Sequence, residues 1–252
     1  MNASRREFLT HAGIFGWLPF FRPKHVALAG ARYRIIRNEN SSRRYLLIHG
    51  NEETARGVLA RHMLTHRGIG YITENHTRNV PIESGEIDPN RMFSRAGAEA
   101  NLKTLNPSWP AERIQAALAI LDKGREKLLR ALLPPAGGLL VALHNNAEYS
   151  VNDEIAISDA KSIREPSNPH AFFLCTDPDD YQVLAQSGYN VVLQRKPPGQ
   201  DDGSLSRLAA ARGVRYCNLE VSHDNWSRQK EMLDWLEWVL PQARPRTSAP
   251  AA

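Results

Sequence analysis

The side chains best suited to chemistry in this sequence are two histidines and a glutamate. His49 and Glu52 stand in an H-x-x-E arrangement, Ile48-His49-Gly50-Asn51-Glu52, just after an apolar run. A second apolar run, Leu139 to Leu143, ends in His144. Imidazole nitrogens and a carboxylate oxygen suit zinc, and three protein ligands leave one coordination position open, as catalytic zinc sites do. H-x-x-E alone arises often by chance, and His49 alone reads equally well as a strand-end residue bonded to a backbone carbonyl. The matching placement of His144 is what turns the pair into a candidate site for one Zn2+ ion.

Elements must bring these residues together. Apolar runs rich in β-formers cover Tyr33–Arg37, Tyr45–His49, Gly70–Thr73, Leu139–His144, Ala171–Cys175, Val191–Gln194 and Val214–Val221. Helical patterns lie between them at Glu53–His66, Ala111–Leu133, Asp177–Ser187 and Ser204–Arg212, with a last helix from Trp226 to Leu240 behind Asn225 as cap. Strands alternating with helices predict a single α/β domain, a mostly parallel or mixed sheet flanked by helices in three layers. Two polar stretches, Asn75–Ala100 and Asn145–His170, each follow a strand. Long loops of this kind are often functional, and sites in open α/β sheets gather at carboxyl strand ends.

The motifs resemble those of the zinc carboxypeptidase superfamily, including its succinylglutamate desuccinylase and aspartoacylase branch. His49-Gly50-Asn51-Glu52 matches the first ligand pair, Asp88-Pro89-Asn90-Arg91-Met92-Phe93 the D-x-N-R-x-F segment, His144 the third ligand and Glu220 the late strand-borne glutamate. They occur in family order. The resemblance implies a zinc hydrolase cleaving an amide or peptide bond beside a free carboxylate. Glu220 would shuttle the proton, Arg78 would stabilise the developing anion, and Asn90 and Arg91 would grip the substrate carboxylate. Asp88 would fix a zinc-ligating histidine, by resemblance His49. Other readings stay open here. Arg95 shares a loop with Arg78, Asp88-Pro89-Asn90 also reads as a turn, and Glu220 also reads as an edge-of-sheet ion pair. The substrate is expected to be a peptide, or an N-acyl amino acid if the action is deacylation; a binding protein without turnover is a further reading. Glu148–His170 is expected to cover the site. Tyr149, His223 and Asp224 lie near site residues without an assigned role.

His62 and His66 read as partly buried or surface histidines. They share a helix face but lack the carboxylate of an H-E-x-x-H motif. The chain's two cysteines exclude a disulfide-rich scaffold; Cys175 and Cys217 fall on separate strands and read either as buried thiols or, in an oxidising compartment, as a disulfide.

The net charge of +5 over 252 residues suggests nucleic acid at first sight. Much of the excess sits in residues 1–29, where Arg5, Arg6, Arg22 and Lys24 face only Glu7. A nucleic-acid partner is therefore not expected. The same segment resembles a twin-arginine export signal: Arg5-Arg6-Glu7-Phe8-Leu9, an apolar stretch from Ala12 to Phe21, and a small-residue site at Ala27-Leu28-Ala29. It implies a bacterial, periplasmic or secreted protein whose partner is the twin-arginine export machinery. No apolar run reaches the ~18 residues of a membrane span. The expected organisation is an export segment at 1–29, a catalytic domain at 30–242 and a disordered tail at 243–252.

Overall fold

A computed structural model describes residues 24–244. The chain opens with strands β1 (His25–Leu28), β2 (Ala31–Asn38) and β3 (Arg44–Leu47), then helix α1 (Glu53–Thr65) and β4 (Gly68–Thr73). A small hairpin follows, β5 (Val80–Ile82) and β6 (Gly85–Ile87), then a 3-10 turn at Pro89–Arg91 and helices α2 (Arg95–Leu105) and α3 (Ala111–Leu132). The second half runs β7 (Leu139–Asn146), α4 (Val151–Ile155), β8 (Ala160–Ser162), β9 (Phe172–Cys175), α5 (Pro178–Leu184), β10 (Asn190–Leu193), α6 (Leu205–Ala211), β11 (Arg215–Ser222) and α7 (Trp226–Val239).

Nine strands form one mixed sheet in the order β1-β2-β4-β3-β7-β11-β9-β10-β8. Its centre, β4-β3-β7-β11, is parallel. The alternation along β7 shows why helices cover both faces. Leu139, Val141 and Leu143 join the core under α1, α5 and α7, whereas Leu140 and Ala142 join the core under α2, α3 and α6. A strand buried on both sides reads as continuous apolar sequence, as this one does. Helix α3 buries Ile114, Leu118, Leu121, Leu128 and Leu132 along one stripe, and each such burial contributes roughly 1.5–3 kcal/mol. Helix α5 starts where Asp177 accepts from the backbone of Asp179 and Asp180, with Pro178 in its first turn. The three-layer α/β/α arrangement expected from the sequence is the observed one.

The two polar stretches hold more structure than expected. Residues 75–100 contain the β5–β6 hairpin, the 3-10 turn and the start of α2, and residues 145–170 contain α4 and β8. Strands of three residues carry too little alternation to register in the sequence. The domain's limits also differ. Most of the expected export segment lies outside the described residues, but His25–Leu28 pairs antiparallel with β2, and Val26 and Leu28 are buried. At the other end Ala243 bridges Gly138, and the Arg244 guanidinium meets Asp177 and Asp180. The rest of the expected tail lies outside the described residues. Among the described residues no helix is long and apolar enough to cross a membrane.

Candidate metal centre

The carboxyl ends of β3, β7 and β11 converge on one cavity of about 520 Å³. His49 follows β3, His144 lies near the end of β7, and Glu220 pairs in register with His144 on β11. Gly50 is required by the turn between His49 and Glu52. A side chain there would begin 2.4 Å from the Asn75 carbonyl oxygen, so only glycine lets the two segments pass.

His49, Glu52 and His144 offer ligand atoms that all lie within 4.8 Å of one another. All three are buried. Glu52 occupies the N-cap position of α1 yet makes no capping bond. Its Oε1 instead meets His49 Nδ1 at 2.8 Å and His144 Nδ1 at 3.3 Å, and its Oε2 has no partner. Asn145 takes over the cap, its Oδ1 accepting from the Ala55 N–H at 2.8 Å. Burial works against ionisation of Glu52, but the two imidazoles win and hold its carboxyl at about 2. Burial likewise opposes the charged form of His49, while Glu52 and Asp88 raise it to about 9. A buried carboxylate with an orphaned oxygen between two imidazoles, whose Nδ1 atoms share its other oxygen, fits a divalent cation of the zinc type.

Asp88 caps the 3-10 turn by accepting from the Asn90 N–H, as its turn reading expects. Its Oδ1 also lies 3.0 Å from His49 Nε2. Despite burial, His49 and Arg78 keep the Asp88 carboxyl well below the usual carboxylate range. Arg78, half-exposed, stands 3.2 Å from Asp88 Oδ2 and 3.9 Å from Glu52 Oε1. Arg95 is elsewhere, bonded to Asp122 and Gln115, which leaves Arg78 as the guanidinium beside the cluster.

Glu220 accepts at both oxygens, from Asn146 Nδ2 and Asn218 Nδ2, each at 3.0 Å. Strand β11 is interior to the sheet, which removes the edge-of-sheet ion-pair reading. Asn90 and Arg91 line the cavity. Asn90 Oδ1 accepts from the Leu205 N–H, and Arg91 lies 3.5 Å from Asp202. Tyr149 and His223 also line it; Asp224 does not, and its N–H donates to Thr54.

Three contributors escape a reading for ligands alone: Asn145, Asn146 and Asn218. Asn218 could have been found, because it precedes Glu220 by two and so shares its strand face. His62, on α1, stacks on His66, the residue that caps the end of that helix, their ring centroids 3.9 Å apart, and with Asp234 they form a second group within ligand distance of one another. Asp234 is already paired with Lys230, and His62 Nε2 faces Glu237 at 3.6 Å. Cys175 and Cys217 are register partners on β9 and β11, both buried and both free.

A three-layer α/β domain with a His/Glu/His cluster at its central strand ends is what the resemblance to the zinc carboxypeptidase superfamily implies. No family model and no curated protein matches the sequence. Among solved structures, the chain is similar to a succinylglutamate desuccinylase/aspartoacylase from Rhodobacter sphaeroides, with TM-score 0.42 and 14% identity over 87% of this chain and 63% of that one. It is also similar to two proteins described as candidate metallopeptidases. One is from Shewanella baltica OS155, with TM-score 0.42 and 12% identity over 83% of this chain and 82% of that one. The other is from Shewanella amazonensis SB2B, with TM-score 0.40 and 11% identity over 87% of each chain. The chain thus spans less than two thirds of the length of the Rhodobacter protein.

Proposed function

We propose that the chain is a zinc-dependent hydrolase that cleaves an amide bond next to a free carboxylate, with a carboxypeptidase-like action on peptides. The observation that carries this reading is the buried cluster itself, with Glu52 Oε2 left without a partner between His49 and His144. A zinc ion held by His49, Glu52 and His144 would polarise the scissile carbonyl and lower the pKa of water. The chain's own groups supply the rest. Asn146 and Asn218 hold the Glu220 carboxylate in place. From there it takes the proton of the attacking water and gives it to the amide nitrogen as the C–N bond breaks. Asp88 holds His49 through Nε2, which keeps Nδ1 turned toward Glu52. Arg78 offers its guanidinium to the negative charge that develops on the carbonyl oxygen. Arg91, beside Asn90, presents a planar fork for the substrate carboxylate.

Metal analysis tests the centre. The purified chain should carry one zinc, and His49→Ala and His144→Ala should each lose it. Glu220→Gln should keep the metal and lose at least about a hundredfold of hydrolysis. Zinc retained in both histidine variants, or no chelator-sensitive hydrolysis of any peptide or N-acyl amino acid, overturns the proposal. Release of amino acids from N-acyl amino acids but not from peptides would assign deacylation instead.

The twin-arginine pattern supports a periplasmic or secreted location reached through the twin-arginine export machinery. Residues 1–29 fused to a reporter should direct its export, and Arg5→Lys combined with Arg6→Lys should hold it in the cytoplasm. Equal export of both fusions would refute that route.

A further inference from the structure

Part of the cavity lining takes no part in the hydrolysis described above. Tyr149, Glu154, Leu174 and Tyr216 belong to it. Glu154, in α4, is met by neutral donors only. The Tyr149 hydroxyl donates to its Oε1 and the Gln194 amide to its Oε2. It is therefore a carboxylate facing the cavity with no cation against it among the described residues. Burial raises the Tyr149 hydroxyl far above its ordinary value, and the charges of Glu154 and Glu220 raise it further, so this phenol stays a neutral donor.

The same lining holds two unused acceptors. Asn218 donates Nδ2 to Glu220, and Asn146 donates Nδ2 to Glu220 and to the His170 carbonyl. A carboxylate and a carbonyl only accept, so both amide nitrogens are fixed toward them. Asn146 Oδ1 and Asn218 Oδ1 are then left buried without partners, on residues 7% and 8% exposed. A buried acceptor without a donor is destabilising. None of the cavity's arginines donates to either oxygen. Leu174 and Tyr216 add apolar surface to this acceptor-rich region.

We propose that this region selects the side chain of the amino acid that leaves: an alkyl stem ending in a cation, ammonium or guanidinium. Glu154 serves as its counter-ion, the asparagine oxygens accept its hydrogens, and Leu174 and Tyr216 pack against its stem. The identity of the leaving amino acid rests on the hydrolase reading; binding of the cation does not.

Calorimetric titration of the full chain with free lysine, arginine and norleucine tests this directly. Lysine or arginine should bind at least about tenfold more tightly than norleucine, the range of a charge-assisted hydrogen bond. Glu154→Gln keeps the shape and an acceptor for Tyr149. It should remove that preference and leave norleucine binding and the melting temperature near wild type. Equal wild-type affinity for lysine and norleucine, no binding of lysine or arginine, or a preference that survives Glu154→Gln overturns the proposal. Peptides ending in lysine or norleucine, assayed in parallel, separate it from the hydrolase reading. Equal turnover of the two sinks the selectivity alone. Selective binding of lysine with no turnover of any substrate sinks the hydrolase reading alone.

Discussion

The imidazole of His49 is held at both nitrogens, by Glu52 on one side and Asp88 on the other. A ring pinned this way has one orientation and one inward nitrogen, which is the usual role of a carboxylate behind a metal-binding histidine. Asp88→Asn should therefore weaken zinc binding by about 10- to 100-fold, read by competition with a chromogenic chelator. An unchanged affinity would reduce Asp88 to the cap of its 3-10 turn. The two candidate histidines were legible in the sequence because each ends an apolar run, and Glu52 because it stands three residues after the first of them. The cap of α1 was not. Asn145 performs it from β7, 90 positions away, and only the folded chain shows that Glu52 is thereby released from its N-cap duty.

Strand β1 illustrates how a short element hides behind another meaning. Ala27-Leu28-Ala29 has the small residues of a cleavage site, and four residues of alternation are too few to declare a strand. Yet β1 completes the edge of the sheet, and Gly124 lets α3 lie directly over it: a Cβ at that glycine would begin 2.6 Å from Leu28. Removing residues 1–29 strips Val26 and Leu28 from the core and bares the edge of β2. The loss should be about 3–5 kcal/mol from the two side chains. A chain starting at Lys24 should melt near the full-length value, and one starting at Gly30 clearly lower, by calorimetry. Equal melting would show that β1 is dispensable, and a processing site after Ala29 would then be compatible with the fold. The longer elements were legible for the opposite reason. The stripe of α3 repeats over 22 residues, and β7 is apolar on both faces, so neither has a competing interpretation.

Across the molecule the two ends of the sheet do different work. The carboxyl ends of β3, β7 and β11 hold the histidines and the unpartnered asparagine oxygens, while the amino ends hold buried charge networks. Arg215, opening β11, is bidentate to Asp180, and Arg43, just before β3, donates to Glu237 and to the Leu240 carbonyl at the end of α7. Arg43 is fully buried, and Tyr45 donates to the same Glu237 oxygen. None of this was legible, because partners 35 to 197 positions apart carry no local pattern. Burial disfavours the Glu237 charge, but His62, Arg43 and Tyr45 overcome it and hold the carboxyl at about 2. Its folded value lies below the ordinary 4.5, so the stabilisation it brings is complete above about pH 4.5 and is lost as pH falls through about 2. Glu237→Gln strands the Arg43 guanidinium, and at neutral pH it should cost about 3–5 kcal/mol, on the order of 10 °C in melting temperature. Other carboxylates also titrate in acid, so the informative quantity is the gap between wild type and variant. That gap should stay constant from pH 7 to about 4.5 and then narrow steadily toward pH 2. A gap that does not change with pH would mean that Glu237 contributes through packing, and that the clamp at the amino ends of the strands is not held by charge.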